Sequence, residues 1–465
     1  MAQRLMASLG YRLPRGLFAG AILAIPLSAR ADGASVPALD TGDTAWVLAS
    51  AALVLLMTPG LALFYGGMVR AKNVLNMFMQ SLIAMALITV LWALCGYSLA
   101  FAPGGPIVGG LQWAGLHGVG LVPNPEYAGT VPHQAFMIYQ LMFAIITPAL
   151  ISGAIADRMR FGAYVLFIGI WSLVAYAPLA HMVWGAGGML RQLGALDFAG
   201  GTVVHISSGA SALVLALLIG RRRAEPAEGM RPHSLPLSVI GTGLLWFGWF
   251  GFNAGSALGA NAVAVSALVA THLAAAAAAL AWALLEWLVF RRPTALGLLT
   301  GAVAGLVAVT PASGFVGPLP ALAIGALVAP LSFYAIRMKD RFRYDDALDV
   351  FGVHCVGGIW GALATGLFAA TSVNPSGANG LLMGGGAMLL LKQAAGIGVA
   401  LGVAGVSTLL IAMVLRFTIG LRVGHEEEDA GLDLSEHGES AYAGPATGSE
   451  DIVVASTADA VPADA

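Results

Sequence analysis

Asp197-Phe198-Ala199-Gly200-Gly201-Thr202-Val203-Val204-His205 sets a carboxylate and an imidazole inside a long apolar region. Much later, Asp349-Val350-Phe351-Gly352-Val353-His354 repeats the pattern: an acid, then glycine, then histidine. Ionisable groups at membrane depth are costly, which makes each of these a functional candidate. Two related stretches point to one site assembled from two halves of the chain.

The rest of the chain is the solvent-averse scaffold such a site needs. Of 465 residues, 58% are hydrophobic and 10% charged, and the mean hydropathy is +0.83. Soluble domains carry about 25% charged residues. The fold class is therefore an all-α integral membrane protein, with 61 glycines suited to close helix packing in lipid. A net charge of −2 with no basic patch in a soluble region gives no signal for nucleic acid. Cys95 and Cys355 stand far apart in apolar runs and read as buried thiols, neither a disulfide framework nor a zinc site.

At the N-terminus, Arg4, Arg12 and Arg15 precede the apolar run 16–28, and Ala29-Arg30-Ala31 follows as a cleavage motif. This is the three-part pattern of a secretory signal peptide, residues 1–31, removed after Ala31. The other reading is an uncleaved anchor helix, but the run is shorter than the roughly 20 residues a span needs.

Eleven segments have spanning length: 44–69, 75–101, 134–156, 161–180, 199–219, 234–255, 261–287, 295–311, 318–338, 348–370 and 392–415. The loops after the odd-numbered spans hold the basic residues, among them Arg70, Lys72, Arg158, Arg160, Arg222, Arg291, Lys339 and Arg341. The alternate loops hold only Arg191 and Lys392. Positive charge stays inside, so the mature N-terminus is expected outside and the C-terminus in the cytoplasm. The segment 102–133, rich in Pro and Gly, reads as an irregular outer cap. Residues 32–420 form the membrane domain and 421–465 a cytoplasmic tail, polar and acidic, with disorder expected beyond about Ala443.

An odd number of helices in the first half forces the second half to start from the other side. The expected plan is an inverted five-plus-five repeat with a final helix, and a site near the midplane. At 1.5 Å per helical residue, the offsets from Asp197 to His205 and from Asp349 to His354 are about 12 and 8 Å. Reaching the centre calls for partly extended lead-ins, which Gly200, Gly201 and Gly352 permit. Gly297, Gly301 and Gly305, and likewise Gly398 and Gly402, read as close-packing positions.

A metal site needs at least three protein ligands, and no HxxxH or cysteine pair accompanies His205 and His354. Two neutral imidazoles in a dry pore instead offer one donor and one acceptor each, suited to a small hydrogen-bonding molecule or a proton relay. Trp184 has a ring face that attracts cations, though tryptophan also anchors at interfaces. The stretch Trp246 to Ser256 alternates bulky rings with glycine, a pattern that packing alone also explains. Asp197 and Asp349 read as cation ligands or as structural acceptors, and the second is favoured because each precedes a helix, where a carboxylate caps free N–H groups.

At these residues the chain resembles the ammonium transporter (Amt) family, bacterial type, over essentially all the mature sequence. The matching runs are Thr58 through Gly67, Leu196 through His205, Trp249 through Ser256, Asp345 through His354, and Gly431 through Tyr442. The resemblance implies conduction of ammonium or ammonia through a hydrophobic pore, without cofactor, resident metal or enzymatic activity. It implies an outer recruitment site at Trp184, Phe143 and Ser256, and a gate of two stacked rings, Phe143 and Phe252. It implies a twin-histidine pair, His205 and His354, and a supporting acid at Asp197. It also implies a homotrimer in the bacterial inner membrane, one pore per subunit, blocked from the cytoplasmic side by a PII-type regulatory protein.

Rival readings are an ammonium sensor signalling through its tail, a gas channel of the related Rh type passing ammonia or carbon dioxide, and an intramembrane metalloenzyme using both histidines. Against these, no kinase-like domain is expected to follow the tail, the Trp184 and Ser256 pair favours cation recruitment, and the metalloenzyme lacks ligands.

Overall fold

The computed structural model describes residues 38–223 and 230–442. The expected signal peptide and the chain beyond Tyr442 lie outside the described residues. Eleven apolar helices account for most of the rest. They are α1 Thr41–Met68, α2 Ala71–Phe101, α3 His133–Ile155, α4 Phe161–Leu193 with a break at 185–188, and α5 Gly201–Ile219. The second set is α6 Leu235–Ala257, α7 Ala262–Phe290, α8 Ala295–Val309, α9 Pro318–Phe342, α10 Phe351–Phe368 and α11 Met388–Thr418. Ten have the length and composition to cross a bilayer; α8 has 15 residues, about 22 Å. It ends because Pro311 has no N–H to continue the ladder, and the chain turns beneath Asp197, where Phe198 N–H donates to the Pro311 carbonyl at 3.1 Å.

Helix starts carry their own caps. Asp40 accepts from Asp43 N–H, Asn261 from Ala264 N–H, and Thr294 from Gly297 N–H. Buried Glu286, near the end of α7, accepts from the backbone and hydroxyl of Thr294 and so ties α7 to α8. The segment 102–132 is mostly turns, as expected, but contains a short antiparallel pair, β1 Pro123–Asn124 and β2 Ala128–Pro132.

The halves interlock at equivalent places. α1 packs along α6, the start of α5 packs on α10, and the start of α10 packs on α5. Glycine permits these approaches: a Cβ on Gly241 would lie 2.3 Å from Phe64 N, and one on Gly305 2.5 Å from the Ala274 carbonyl oxygen. Gly297 and Gly301 are equally tight, against Glu286 and Trp282. Gly398 and Gly402 differ from expectation, since nothing lies within 4 Å of a Cβ at either. They sit on an α11 face that the chain itself leaves uncovered.

Buried charge ties the face bearing the basic loops. Arg158, fully buried, donates to the carbonyls of Ala154, Ala156, Gly220 and Asp345. Asp157 accepts from Arg70 and from Asn73 Nδ2. Asp345 takes Arg222 through two nitrogens, each at 2.9 Å. Burial works against the charge on Asp345, but this two-point pairing outweighs it and holds the carboxyl at about 2. The tail folds onto the same face as α12 His425–Ala430 and α13 Leu432–His437. Leu432 N–H donates to Asn73 Oδ1, Asn76 N–H to Asp433 Oδ1, and Phe161 N–H to Glu436 Oε2.

Candidate transport pathway

Two π-helical turns place the central histidines. Gly201–Ile206 opens α5 and Phe351–Cys355 opens α10, and such turns concentrate at functional sites. The lead-ins 197–200 and 345–349 are irregular, as expected, but the π-turns rather than extended chain complete the approach. His354 Nδ1 lies 3.2 Å from His205 Nδ1, with ring centroids 5.3 Å apart and planes at 21°. One Nδ1 must donate and the other accept, so the two tautomers are opposite. His205 stacks on Trp249 and Phe252, with centroids at 5.4 and 6.0 Å. Its Nε2 is buried and has no partner among the described residues. Around the pair lies a narrow apolar lumen of about 10 Å³, lined by Met57, Leu61, Phe64, Ile146, Leu245, Trp249 and Val303 among others.

Towards the end bearing residues 102–132, Phe143 and Phe252 cross the path with centroids 4.3 Å apart. Trp184 stands edge-on to Phe143 at 6.2 Å. Beyond them opens a cavity of about 210 Å³, lined by Phe143, Trp184 and Ser256 together with Gln140, Tyr127, Glu126 and Arg191. The Ser256 hydroxyl donates to the Phe252 carbonyl at 3.0 Å and lies 3.1 Å from the Tyr139 hydroxyl. Trp184 Nε1 donates to the Asp197 carbonyl at 2.9 Å, which fixes the ring against the wall.

Asp197 is saturated by backbone. Its two oxygens accept from the N–H groups of Gly200, Gly201, Thr202 and Val203, at 2.7 to 3.2 Å. It caps the start of α5 and holds both the π-turn and, through its own carbonyl, Trp184. In the second half the corresponding cap is Asp346, which accepts from Phe351 N–H at 2.7 Å. Asp346 precedes His354 by eight residues, as Asp197 precedes His205. Asp349 has φ +62 and pairs instead with Lys339. It borders a cavity of about 40 Å³ that leads from His354 towards the basic-loop face. Burial and the adjacent Asp349 push the Asp346 carboxyl up to about 6.

The sequence reading missed Tyr139 and Gln140. They lie four and three residues before Phe143 on α3 and so share its face. The Gln140 amide oxygen is buried without a partner among the described residues. Asp346 was also legible, by counting back from each histidine. No group of three His, Cys, Asp or Glu side chains that could hold a metal occurs among the described residues.

An apolar bundle with an aromatic mouth, two crossed rings and a buried imidazole pair defines a multi-pass membrane transport protein for a small polar solute. A model of the Ammonium Transporter Family matches residues 45–442. The chain is 51% identical over 405 residues to an ammonium transporter of Bacillus subtilis, covering 87% of this chain and 99% of that one. It is 50% identical over 431 residues to one of Mycobacterium bovis, with 87% and 90% covered. The crystal structure of Saccharomyces cerevisiae Mep2 is similar at 36% identity and a TM-score of 0.78, covering 84% of this chain and 89% of that one. The chain belongs to the ammonium transporter family; its function is ammonium transport across the membrane, and it is not an enzyme.

Proposed function

We propose that ammonium is recruited as a cation at the Trp184 cavity and crosses the histidine pair as neutral ammonia. The observation that carries this reading is the His205–His354 contact inside a narrow apolar lumen. The Trp184 and Phe143 rings offer π faces to a cation, worth about 0.5–2 kcal/mol. The Ser256 oxygen and the unpartnered Gln140 oxygen accept its N–H groups. Phe143 and Phe252 close the way below. A monovalent cation at this depth costs at least a few kcal/mol, which ammonium avoids by leaving its proton and potassium cannot avoid. Asp197 and Asp346 are structural caps in this scheme: backbone N–H groups take both oxygens of Asp197 and one oxygen of Asp346.

Further features complete the reading. The asymmetry of basic residues supports a mature N-terminus outside, the Trp184 mouth outside, and the tail in the cytoplasm. The domain division is a leader at 1–31, a transport domain at 32–420 and a regulatory tail at 421–465. The assembly is a homotrimer in the inner membrane, one pore per subunit, and a PII-type protein closes the basic face on which α12 and α13 dock.

The deciding experiment is transport in proteoliposomes under an ammonium gradient, comparing wild type with Trp184→Leu. The variant should need more ammonium for half-maximal rate, by about two- to thirtyfold. An unchanged concentration dependence would remove Trp184 from recruitment.

A further inference from the structure

We propose that Glu126 and Arg191 form a charge-balanced lip that sets the electrostatic potential of the recruitment cavity and with it the apparent affinity for ammonium-type monovalent cations. The inference rests on the recruitment reading of that cavity. Among the cavity's lining residues these are the two formal charges. A guanidinium beside a cation-collecting site is unfavourable unless it is offset. Here Arg191 Nη2 lies 2.9 Å from Glu126 Oε1, and Arg191 Nη1 donates to the Trp184 carbonyl at 3.1 Å. The Arg191 head also sits over the Tyr127 ring at 5.9 Å, and Tyr127 accepts from Ala186 N–H at 2.9 Å. Arg191 thus joins the lip segment carrying Glu126 to the backbone of the recruiting tryptophan, and it stands where its charge is felt by an arriving cation.

An exposed ion pair contributes little to stability, and these side chains are 40% and 52% exposed. Its effect on an incoming charge is a separate matter, because single charges act over a Debye length of about 8–10 Å at physiological salt and about 30 Å at 0.01 M. While the pair is intact the two fields largely cancel. When one partner is neutralised the other acts alone.

The test measures initial transport rate against ammonium concentration in proteoliposomes, at about 0.01 M and about 0.15 M sodium chloride. Glu126→Gln leaves Arg191 unbalanced and should raise KM about threefold at low salt, and less at high salt. Arg191→Gln keeps an N–H donor for the Trp184 carbonyl, leaves Glu126 unbalanced, and should lower KM by a similar factor. The double variant should return KM towards wild type and lose the salt dependence. In each case the change falls on KM rather than on the maximal rate. A purely structural role would shift KM in one direction in both single variants, whatever the salt, and that result would overturn the proposal, as would a salt-independent KM in Glu126→Gln. Trp184→Leu separates the two readings. If it changes KM while the charge variants do not, the lip alone fails; if it does not, recruitment itself fails.

Discussion

Gly209 and Gly358 occupy matching positions, each four residues past a pore histidine and each pressed on the opposite half's π-turn. A Cβ on Gly209 would lie 2.3 Å from Cys355 N, and one on Gly358 would lie 2.9 Å from the Gly201 oxygen and 3.2 Å from His205 Cβ. The contact between the histidines therefore depends on two backbones touching where no side chain intervenes.

The obstruction at Gly209 is backbone, which cannot swing aside. Gly209→Ala should separate α5 from α10 and lower thermal stability in detergent by about 1–3 kcal/mol. Gly358→Ala should be milder, because its nearest neighbours lie at 2.9 Å, against 2.3 Å at Gly209. Equal stability of wild type and Gly209→Ala would contradict the close crossing.

The histidine pair shares one hydrogen, so altering either ring changes the tautomer and orientation of the other. If the pair relays protons, His205→Ala and His354→Ala should each abolish ammonium-driven current while the folded assembly persists on size-exclusion chromatography. If the pair only screens solutes, flux should continue and potassium should begin to cross. Wild-type current with intact potassium rejection in both variants excludes the pair from the mechanism.

The Asp345–Arg222 pair predicts an acid-sensitive junction. The folded-state pKa of Asp345 is depressed to about 2, against about 4 in an unfolded chain. Its stabilisation is therefore full above the unfolded value and is lost as pH falls through the folded one. Asp345→Asn should cost about 1–2 kcal/mol at pH 7, allowing for partial exposure of the pair. The gap to wild type in thermal unfolding should narrow as pH drops below about 4. A gap that stays constant through acid would show that the pair contributes geometry and not charge.

The tail gives a regulatory prediction. Removing residues from 431 onward deletes the contacts of Leu432 with Asn73, Asp433 with Asn76, and Glu436 with Phe161. Ammonium transport should survive, and inhibition by an added PII-type protein should weaken. Loss of the oligomer in the truncated protein would make the tail a structural element before a regulatory one.

Much of this was readable from residue order. Hydropathy located the eleven apolar helices, ten of them within about four residues and α4 cut short at 180 against Leu193, because uninterrupted apolar runs leave the chain no other way to satisfy its backbone in lipid. The histidine pair was readable because two halves carried the same signature. The capping acid of the second half was harder to find. Asp345, Asp346 and Asp349 crowd one short segment, and proximity to the Gly352 motif drew attention to Asp349. The eight-residue spacing to His354, matching Asp197 to His205, and the hydrogen bond from Phe351 N–H single out Asp346. The π-turns leave no compositional trace, since they differ from α-helix only in which carbonyl each N–H finds. The open α11 face at Gly398 and Gly402 shows the limit of motif spacing, because a small residue permits a neighbour without supplying one.

The two π-turns also make chain length, more than chemistry, the fragile property of α5 and α10. An α-helix advances about 100° per residue, and a π-turn holds one more residue per loop of backbone than the α-helix around it. Deleting a single residue within 201–206 would let the turn relax to ordinary pitch, leaving the flanks of α5 aligned but shifting the positions inside the turn relative to both. His205 would swing out of the shared axis with its identity unchanged. These buried segments should therefore be closed to insertion and deletion, so that the spacing from Asp197 to Gly209 acts as a ruler.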